Sequence, residues 1–384
     1  SMSYLLMFLE VEMRIHDYFD EIVNNLYLFQ KEDLEIIKNN INLTDIKKLD
    51  NLLEEALTFG IHSVVEKKHL APSKDPHDYM SCSIYHWPNP NTEDGLPYVE
   101  RDGIDNPEAI HGDKESLRTL AYITYLSAIL FYITNSEKYI NIILYYNRFW
   151  FIDEKTKMNP NLQFAQCIPG INDGEPGGII DYAASYGYAL HLLTILNQEK
   201  LLPLDFYLEM KKWHQDFLSW LLTSEPGKIE GARVNNQGSL YDLLVLNIFS
   251  FLGEADCIKE PYHKKLLERL HTQIDEKGQL PLELVRTKTK SYTTMGLKML
   301  LESAYLLQNY GYSFASNEDL KRAYNYVLPH YLNHTWEHIQ IKTFDCYRGY
   351  YILYLFSKVI DIKVEICFEE KPMHWGYILL KKLF

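Results

Sequence analysis

A Cys-x-x-Cys pair, an apolar run of membrane-spanning length, a fixed repeat and a low-complexity tract are all missing from these 384 residues. Each absence excludes a class of protein. The five cysteines, Cys82, Cys167, Cys257, Cys346 and Cys367, are odd in number and widely spaced, so neither a disulfide framework nor a zinc knuckle is expected. A reducing compartment is the simplest fit. Basic residues are in deficit: 38 Lys and Arg against 52 Asp and Glu leave a net charge of −14, and that far field repels nucleic acid and anionic membranes alike. A polyanionic substrate therefore requires a locally basic cleft.

Strand signals are also scarce, with one exception. Ile362, Val364, Ile366 and Phe368 alternate and predict a short C-terminal strand. Helical periodicity dominates elsewhere. Ile15, Tyr18, Phe19, Ile22, Leu26 and Phe29 fall on one helical face, and Thr44 is an expected N-cap for a second helix burying Ile46, Leu49, Leu52, Leu53, Ala56 and Leu57. Further helices are expected near 114–133, 136–151, 180–197, 203–222, 239–252, 261–275, 292–310, 317–328 and 344–359, and Trp375 to Phe384 reads as a docking helix. Ser136 and Ser316 are expected caps, and Pro203 and Pro261 lie near first-turn positions. So many helices of similar length on short turns predict an all-α fold of stacked antiparallel pairs, either a closed (α/α) toroid or an open solenoid. One continuous domain is expected, with 1–70 supplying N-terminal helices and 71–384 the remainder.

Two long stretches interrupt the helices, 71–112 with its prolines and 153–179 with its glycines, and loops of that length inside a compact domain are usually functional. The first carries Tyr85, His86 and Trp87, and the second carries Asn161, Gln166 and Asp173. Aromatic faces and amides suit a sugar, which stacks on the one and hydrogen-bonds the other. The same aromatics also fit as core plugs under a loop. Two polar segments precede helical patterns: Val234 to Asp242, with Asn235, Asn236, Gln237, Gly238 and Ser239, and Arg286 to Tyr292, with Lys288 and Lys290. Amides at a helix start gather donors for an anion, and a phenol beside a guanidinium is expected to titrate below its ordinary value. A structural account fits as well, with Ser239 capping a helix, Asn235 and Asn236 forming a turn and the basic run solvated.

The blocks His77 to Ser81, Tyr85 to Pro90, Asp94 to Tyr98, Arg101 to Gly103, Phe149 to Asp153, Met158 to Leu162, Ala165 to Gly170, Gly178 to Asp181, Gln273 to Asp275, Gly278 to Glu283 and Arg286-Thr287 follow one another over about 75–305. In that order they resemble the alginate lyase family of polysaccharide lyases. The resemblance implies an (α/α) toroid that cleaves a 4-linked uronic acid by β-elimination without metal or other cofactor. It places Asn236 and Arg286 as neutralisers of the sugar carboxylate and Tyr292 as the catalytic phenol. Tyr85, Trp87, Asn161, Gln166, Arg233, Tyr241 and Lys288 are then expected to bind an acidic oligosaccharide or polysaccharide. Where the family has Asn-Asn-His this chain has Asn235-Asn236-Gln237, and an amide donates a hydrogen bond but takes no proton near neutral pH. An elimination with proton and leaving group on one face, run by Tyr292 alone, survives that change. Glu175 stands where an arginine-containing segment is expected. The alternatives are an impaired relative that binds an acidic oligosaccharide or a protein, and a glycosidase using Asp242 and Glu283.

His330, His334 and His338 recur at helical spacing, which on a continuous helix offers a metal face, although ordinary burial is the expectation. Ser1-Met2 reads as an expression scar. The apolar Tyr4 to Leu9 is short, lacks a basic flank and makes a poor signal peptide, so a cytoplasmic protein is expected, or a periplasmic or secreted one if a leader was trimmed.

Overall fold

The structure is a computed structural model that describes residues 26–107, 109, 112–368 and 374–384. Its helices are α1 Lys31–Asn40, α2 Leu43–Phe59, α3 Lys114–Thr134, α4 Glu137–Asn147, α5 Ile180–Ala183, α6 Tyr186–Gln198, α7 Leu204–Thr223, α8 Glu225–Ala232, α9 Asn236–Leu252, α10 Lys259–Gln273, α11 Pro281–Leu284, α12 Thr289–Gln308, α13 Glu318–Leu332, α14 Cys346–Val359 and α15 Trp375–Leu380.

Burial sorts the long helices into two rings. In α3, α6, α9, α12 and α14 the buried residues run almost without a break, as in Thr119 to Tyr132 of α3. Helices apolar all round must be enclosed. Consecutive members of this set pack side by side, from α3 through α6, α9 and α12 to α14. By contrast α2, α4, α7, α10 and α13 bury one stripe each, such as Leu49, Leu52, Leu53 and Ala56 of α2, and form the outer ring. This is the all-α toroid of antiparallel pairs. By length and composition α3 is apolar enough to cross a membrane, against the sequence expectation, yet 89% of that stretch is buried inside the protein.

The seam between the first and last inner helices is filled by an extended segment. Leu28 N–H donates to Tyr351 Oη at 2.8 Å, and Tyr125 Oη donates to the Tyr27 carbonyl at 2.8 Å. Tyr27 stacks on Tyr351 with centroids 3.9 Å apart, and Trp375 of α15 covers Tyr27 at 4.8 Å and Tyr125 at 5.3 Å. The expected helix through Leu26 and Phe29 is therefore corrected at those two residues, which are extended and fully buried; Ile15 to Ile22 lie outside the described residues.

Other boundaries shift for local reasons. Asn42, not Thr44, caps α2 by accepting from Asp45 N, and Asn317, not Ser316, caps α13 by accepting from Leu320 N. The expected C-terminal strand is absent among the described residues: 361–368 has no partner edge, and Ile362, Val364, Ile366 and Phe368 simply lay one face against the core. The two long loops meet through short strands. β1 Met80–Cys82 pairs in parallel with β4 Phe164–Cys167, and β2 His86–Trp87 pairs antiparallel with β3 Val99–Glu100. Cys82 and Cys167 face each other across the first pair, Cα atoms 4.4 Å apart, and form a disulfide. The spacing of the cysteines, which gives no sign of a disulfide framework, does not reveal this single pair.

Candidate active site

The β2–β3 hairpin carries a phenol and a carboxylate to one place. Arg101 N–H donates to the Tyr85 carbonyl at 2.8 Å, which closes the base of the hairpin and sets Tyr85 near Asp102. Gly103 follows with φ +74°, and a Cβ there would lie 2.5 Å from Thr287 Oγ1, so only glycine allows the approach. On the far side, residues 286–288 run between α11 and α12 and are held by Thr289 N–H to the Ile339 carbonyl, 3.1 Å, and a bridge from Lys288 to Gln340. Two elements distant in sequence thus converge.

At their junction Arg286 Nη2 donates to Tyr292 Oη at 2.8 Å, and its guanidinium lies 3.9 Å from the Tyr292 ring centroid. Asp102 accepts from Arg286 Nη2 at 2.6 Å and from Nε at 3.2 Å. Lys288 Nζ donates to Tyr85 Oη at 2.9 Å, and the Tyr85 and Tyr292 hydroxyls are 3.5 Å apart. The expectation that the cation pulls the Tyr292 phenol below its ordinary value is corrected. Burial, joined by the neighbouring Tyr85, raises it well above 10, outweighing the lowering by Arg286 and Lys288. Tyr292 is therefore a neutral phenol in the free protein at neutral pH. For Asp102 burial acts upward, yet the bonds from Arg286 and Thr287 outweigh it and hold the carboxyl below its usual range.

The amide segment joins this group through Glu283. Asn235 caps α9, its side chain accepting from Gln237 N–H at 3.2 Å. Asn236 is buried, and Glu283 accepts from its backbone N–H at 3.1 Å and from its side-chain amide. Burial lowers Arg286, three residues on, but the bond to Asp102 and the charges of Tyr292, Asp102 and Glu283 outweigh it and raise it. Gln237 Oε1 accepts from Arg233 Nη1 at 3.0 Å, and Arg233 Nε sits 2.6 Å from the buried Glu230. With its oxygen so engaged, Gln237 sets its NH2 beside Gly177, where a Cβ would meet that nitrogen at 3.0 Å. Glu175 lies in the same neighbourhood, close enough to raise Glu230, and accepts from Asn172.

Other expected site residues fall elsewhere. Trp87 is on the hairpin, but its indole N–H donates to the Ile104 carbonyl at 3.0 Å and Arg101 covers one ring face at 4.6 Å. Asn161 ties the loops together by donating to Asp78 at 3.1 Å. Gln166 donates to Asp181 at 2.8 Å in a buried cluster where Asp181 also accepts from Tyr79 and Ser81 and lies 3.1 Å from Lys114. Tyr241 is 5% exposed, its hydroxyl donating to the Leu221 carbonyl at 2.7 Å, so it packs under α8 and does not reach the phenol. Asp242 is held by Lys265 at 2.6 Å and Arg269 at 2.5 Å, beside a cavity lined by Ser303 and Leu307, at least 11 residues along α12 from Tyr292, roughly 16 Å. Ser239, expected as a cap, is inside α9 and accepts from Gln273 at 2.9 Å. The three histidines do not share one helix: α13 ends at Leu332, His334 has φ +54°, and no group of three metal-ligating side chains occurs among the described residues. Sequence reasoning missed Asp102 as a site residue, although it stands in the Arg101-Asp102-Gly103 block opposite the most basic run of the chain.

Paired helices wound into a toroid, with a phenol, a guanidinium and amides gathered where two loops meet an inner helix, match the class that the sequence resembles, the (α/α)-toroid polysaccharide lyases. The sequence profile of the Alginate lyase family matches residues 63–336, and the chain belongs to that family. Among solved structures it is similar to an alginate lyase from Bacteroides ovatus, at 29% identity and a TM-score of 0.79, over 87% of this chain and 91% of that one. A comparison with curated proteins gave no match.

Proposed function

We propose that this protein cleaves a 4-linked uronic acid polymer or oligomer by β-elimination, with proton and leaving group on the same face of the sugar. The observation that carries the reading is the Tyr292 hydroxyl held 2.8 Å from the Arg286 guanidinium. Arg286, Asn236 and the NH2 of Gln237 neutralise the substrate carboxylate, which makes the adjacent C5 proton acidic. The Tyr292 phenolate takes that proton, and the C5–H electron pair passes into an enolate-like intermediate. As the C4–C5 double bond forms and the C4–O4 bond breaks, Tyr292 returns the proton to O4 and is again a phenolate. Lys288, bonded to Tyr85 and 5.8 Å from the Tyr292 ring centroid, favours the charged form together with Arg286, whereas burial and Tyr85 oppose it.

Gln237 sets the limit on substrate. With no base on the opposite face, only sugars whose C5 proton and O4 share a face are cleaved, which selects mannuronate and glucuronate units over guluronate. The reading is tested by ultraviolet absorbance over time with mannuronate, guluronate and glucuronate oligomers. A rise from the new double bond with the first or last of these, and not with guluronate, is the expected result. No rise on any of them, together with measurable binding, would favour an impaired relative that binds acidic sugars, since the substitution at Gln237 touches the site itself. A glycosidase is disfavoured because Asp242 and Glu283 are both committed to partners, and saturated products would be its mark.

A further inference from the structure

We infer that Asp102 is a positioning residue for the elimination, fixing the orientation of Arg286 and moderating the charge that Arg286 presents to Tyr292. This rests on the lyase reading above. The carboxylate takes the Nε and Nη2 edge of the guanidinium, at 3.2 and 2.6 Å. It is itself fixed by Thr287, whose backbone N–H and Oγ1 donate to Oδ2, each at 3.1 Å. A planar guanidinium gripped along one edge has a single orientation. Nη2 is thereby aimed at Tyr292 Oη, and the Nη1 donors, with no protein partner among the described residues, are left for a substrate carboxylate. Arg286 keeps 30% of its side chain exposed, enough to be reached. Without Asp102 the arginine is a flexible chain beside Glu283, the other carboxylate near it.

The charge argument adds a second signature. The titratable and charged groups facing Tyr292 are Tyr85 on the hairpin, Arg286 and Lys288 ahead of α12, and Arg348 on α14. Asp102 offsets the first of these cations. Its removal strengthens the pull of Arg286 on the phenolate, so Tyr292 ionises at lower pH even while its partner is less well placed.

The test compares Asp102→Asn and Asp102→Glu with the unaltered protein, on a mannuronate oligomer, from pH 6 to pH 10. Asp102→Asn is expected to lower kcat by about 10- to 100-fold with a smaller change in KM, and to move the rising limb of its pH profile to lower pH. Asp102→Glu should recover most of the rate and the original limb. A folded Asp102→Asn with kcat within threefold and an unshifted profile overturns the inference, as does a loss of rate that Asp102→Glu shares in full. If the unaltered protein makes no unsaturated product, the lyase reading fails, and calorimetric binding of the same oligomer decides the question of Asp102. At least tenfold weaker binding by Asp102→Asn, restored in Asp102→Glu, then supports the inference, and equal binding by all three overturns it.

Discussion

Replacing Tyr292 with Phe removes one oxygen and leaves the ring. The packing of the guanidinium on that ring, 3.9 Å from its centroid, is retained, so the fold loses little more than the hydrogen bond from Arg286 and the long contact with Tyr85. Stability should change by no more than about 1.5 kcal/mol. The reaction is affected far more. If this hydroxyl both takes the C5 proton and returns it to O4, its removal costs the whole of the acid–base contribution, about 10²- to 10⁴-fold in rate, or roughly 3 to 5 kcal/mol of barrier. Substrate affinity should hold within a few-fold, because Arg286, Asn236 and Gln237 remain. Absorbance of the unsaturated product gives the rate, and calorimetry on the inactive variant gives the affinity. A folded Tyr292→Phe that keeps more than a tenth of the activity would refute the assignment, and so would a parallel collapse of binding, which would make the phenol a binding group.

Because burial raises the Tyr292 phenol well above 10, kcat/KM should climb with pH between 7 and 9, and a profile that is flat or falling there contradicts the phenolate as base. Gln237→His supplies a proton acceptor in the place of the amide, so slow cleavage of guluronate linkages should appear; continued silence on guluronate with mannuronate activity intact would mean that Gln237 does not set the face of attack. The Cys82–Cys167 bond closes a loop of 85 residues, worth about 4 to 5 kcal/mol by chain entropy, so a reductant should lower the denaturation midpoint and raise the titrated thiols from three to five. Burial depresses His191 and His214 to about 4, so the folded state refuses protons that the unfolded chain binds below its ordinary value near 6.5. Stability is full above that value and falls as the medium is acidified: by pH 5 each histidine costs about 2 kcal/mol, while Asp113, raised by burial to about 6, returns about 1 kcal/mol. Asp33, Glu230, Glu283 and Glu302, raised by burial too, also return stability. The histidine loss is therefore read as the difference between the unaltered protein and His214→Gln in urea titrations at pH 7 and pH 5, and an equal fall of both midpoints would contradict it.

The helices were legible because the inner ones are apolar on every side and the outer ones carry a single stripe, patterns that local sequence holds without help. Leu26 to Phe29 misled for a related reason. A short stretch of buried apolar residues looks the same whether it is helical or extended, and only its partners Tyr125 and Tyr351, about 100 and 320 residues away, decide which. The pairing of Cys82 with Cys167 and the grip of Asp102 on Arg286 are equally long-range, and no spacing rule reaches them. The phenol's titration was misread for a different cause: the sequence shows the cation beside it and hides the burial that outweighs the cation. Arg286, Lys288 and Tyr292 stand out as a donor-rich segment and Tyr85 as a loop aromatic, and they are brought within contact of one another, whereas Tyr241 and Asn161, chosen by residue type, are held by backbone and loop partners.

The seam filled by Leu26 to Gln30 and α15 bears on how such a ring is made. Both plugs bind the same two tyrosines, Tyr125 of α3 and Tyr351 of α14, directly or through Tyr27, and α15 leaves the ribosome after every other described element. Left unfilled, the seam would leave apolar flanks of α3 and α14 bare, and bare flanks of that kind pair with those of neighbouring chains. The hairpin with Tyr85 and Asp102 is anchored on the α3 side, and Tyr292 belongs to the helix packed on α14. Closing the seam therefore ties together from behind the two sides of the ring that Asp102 and Arg286 already join at the site.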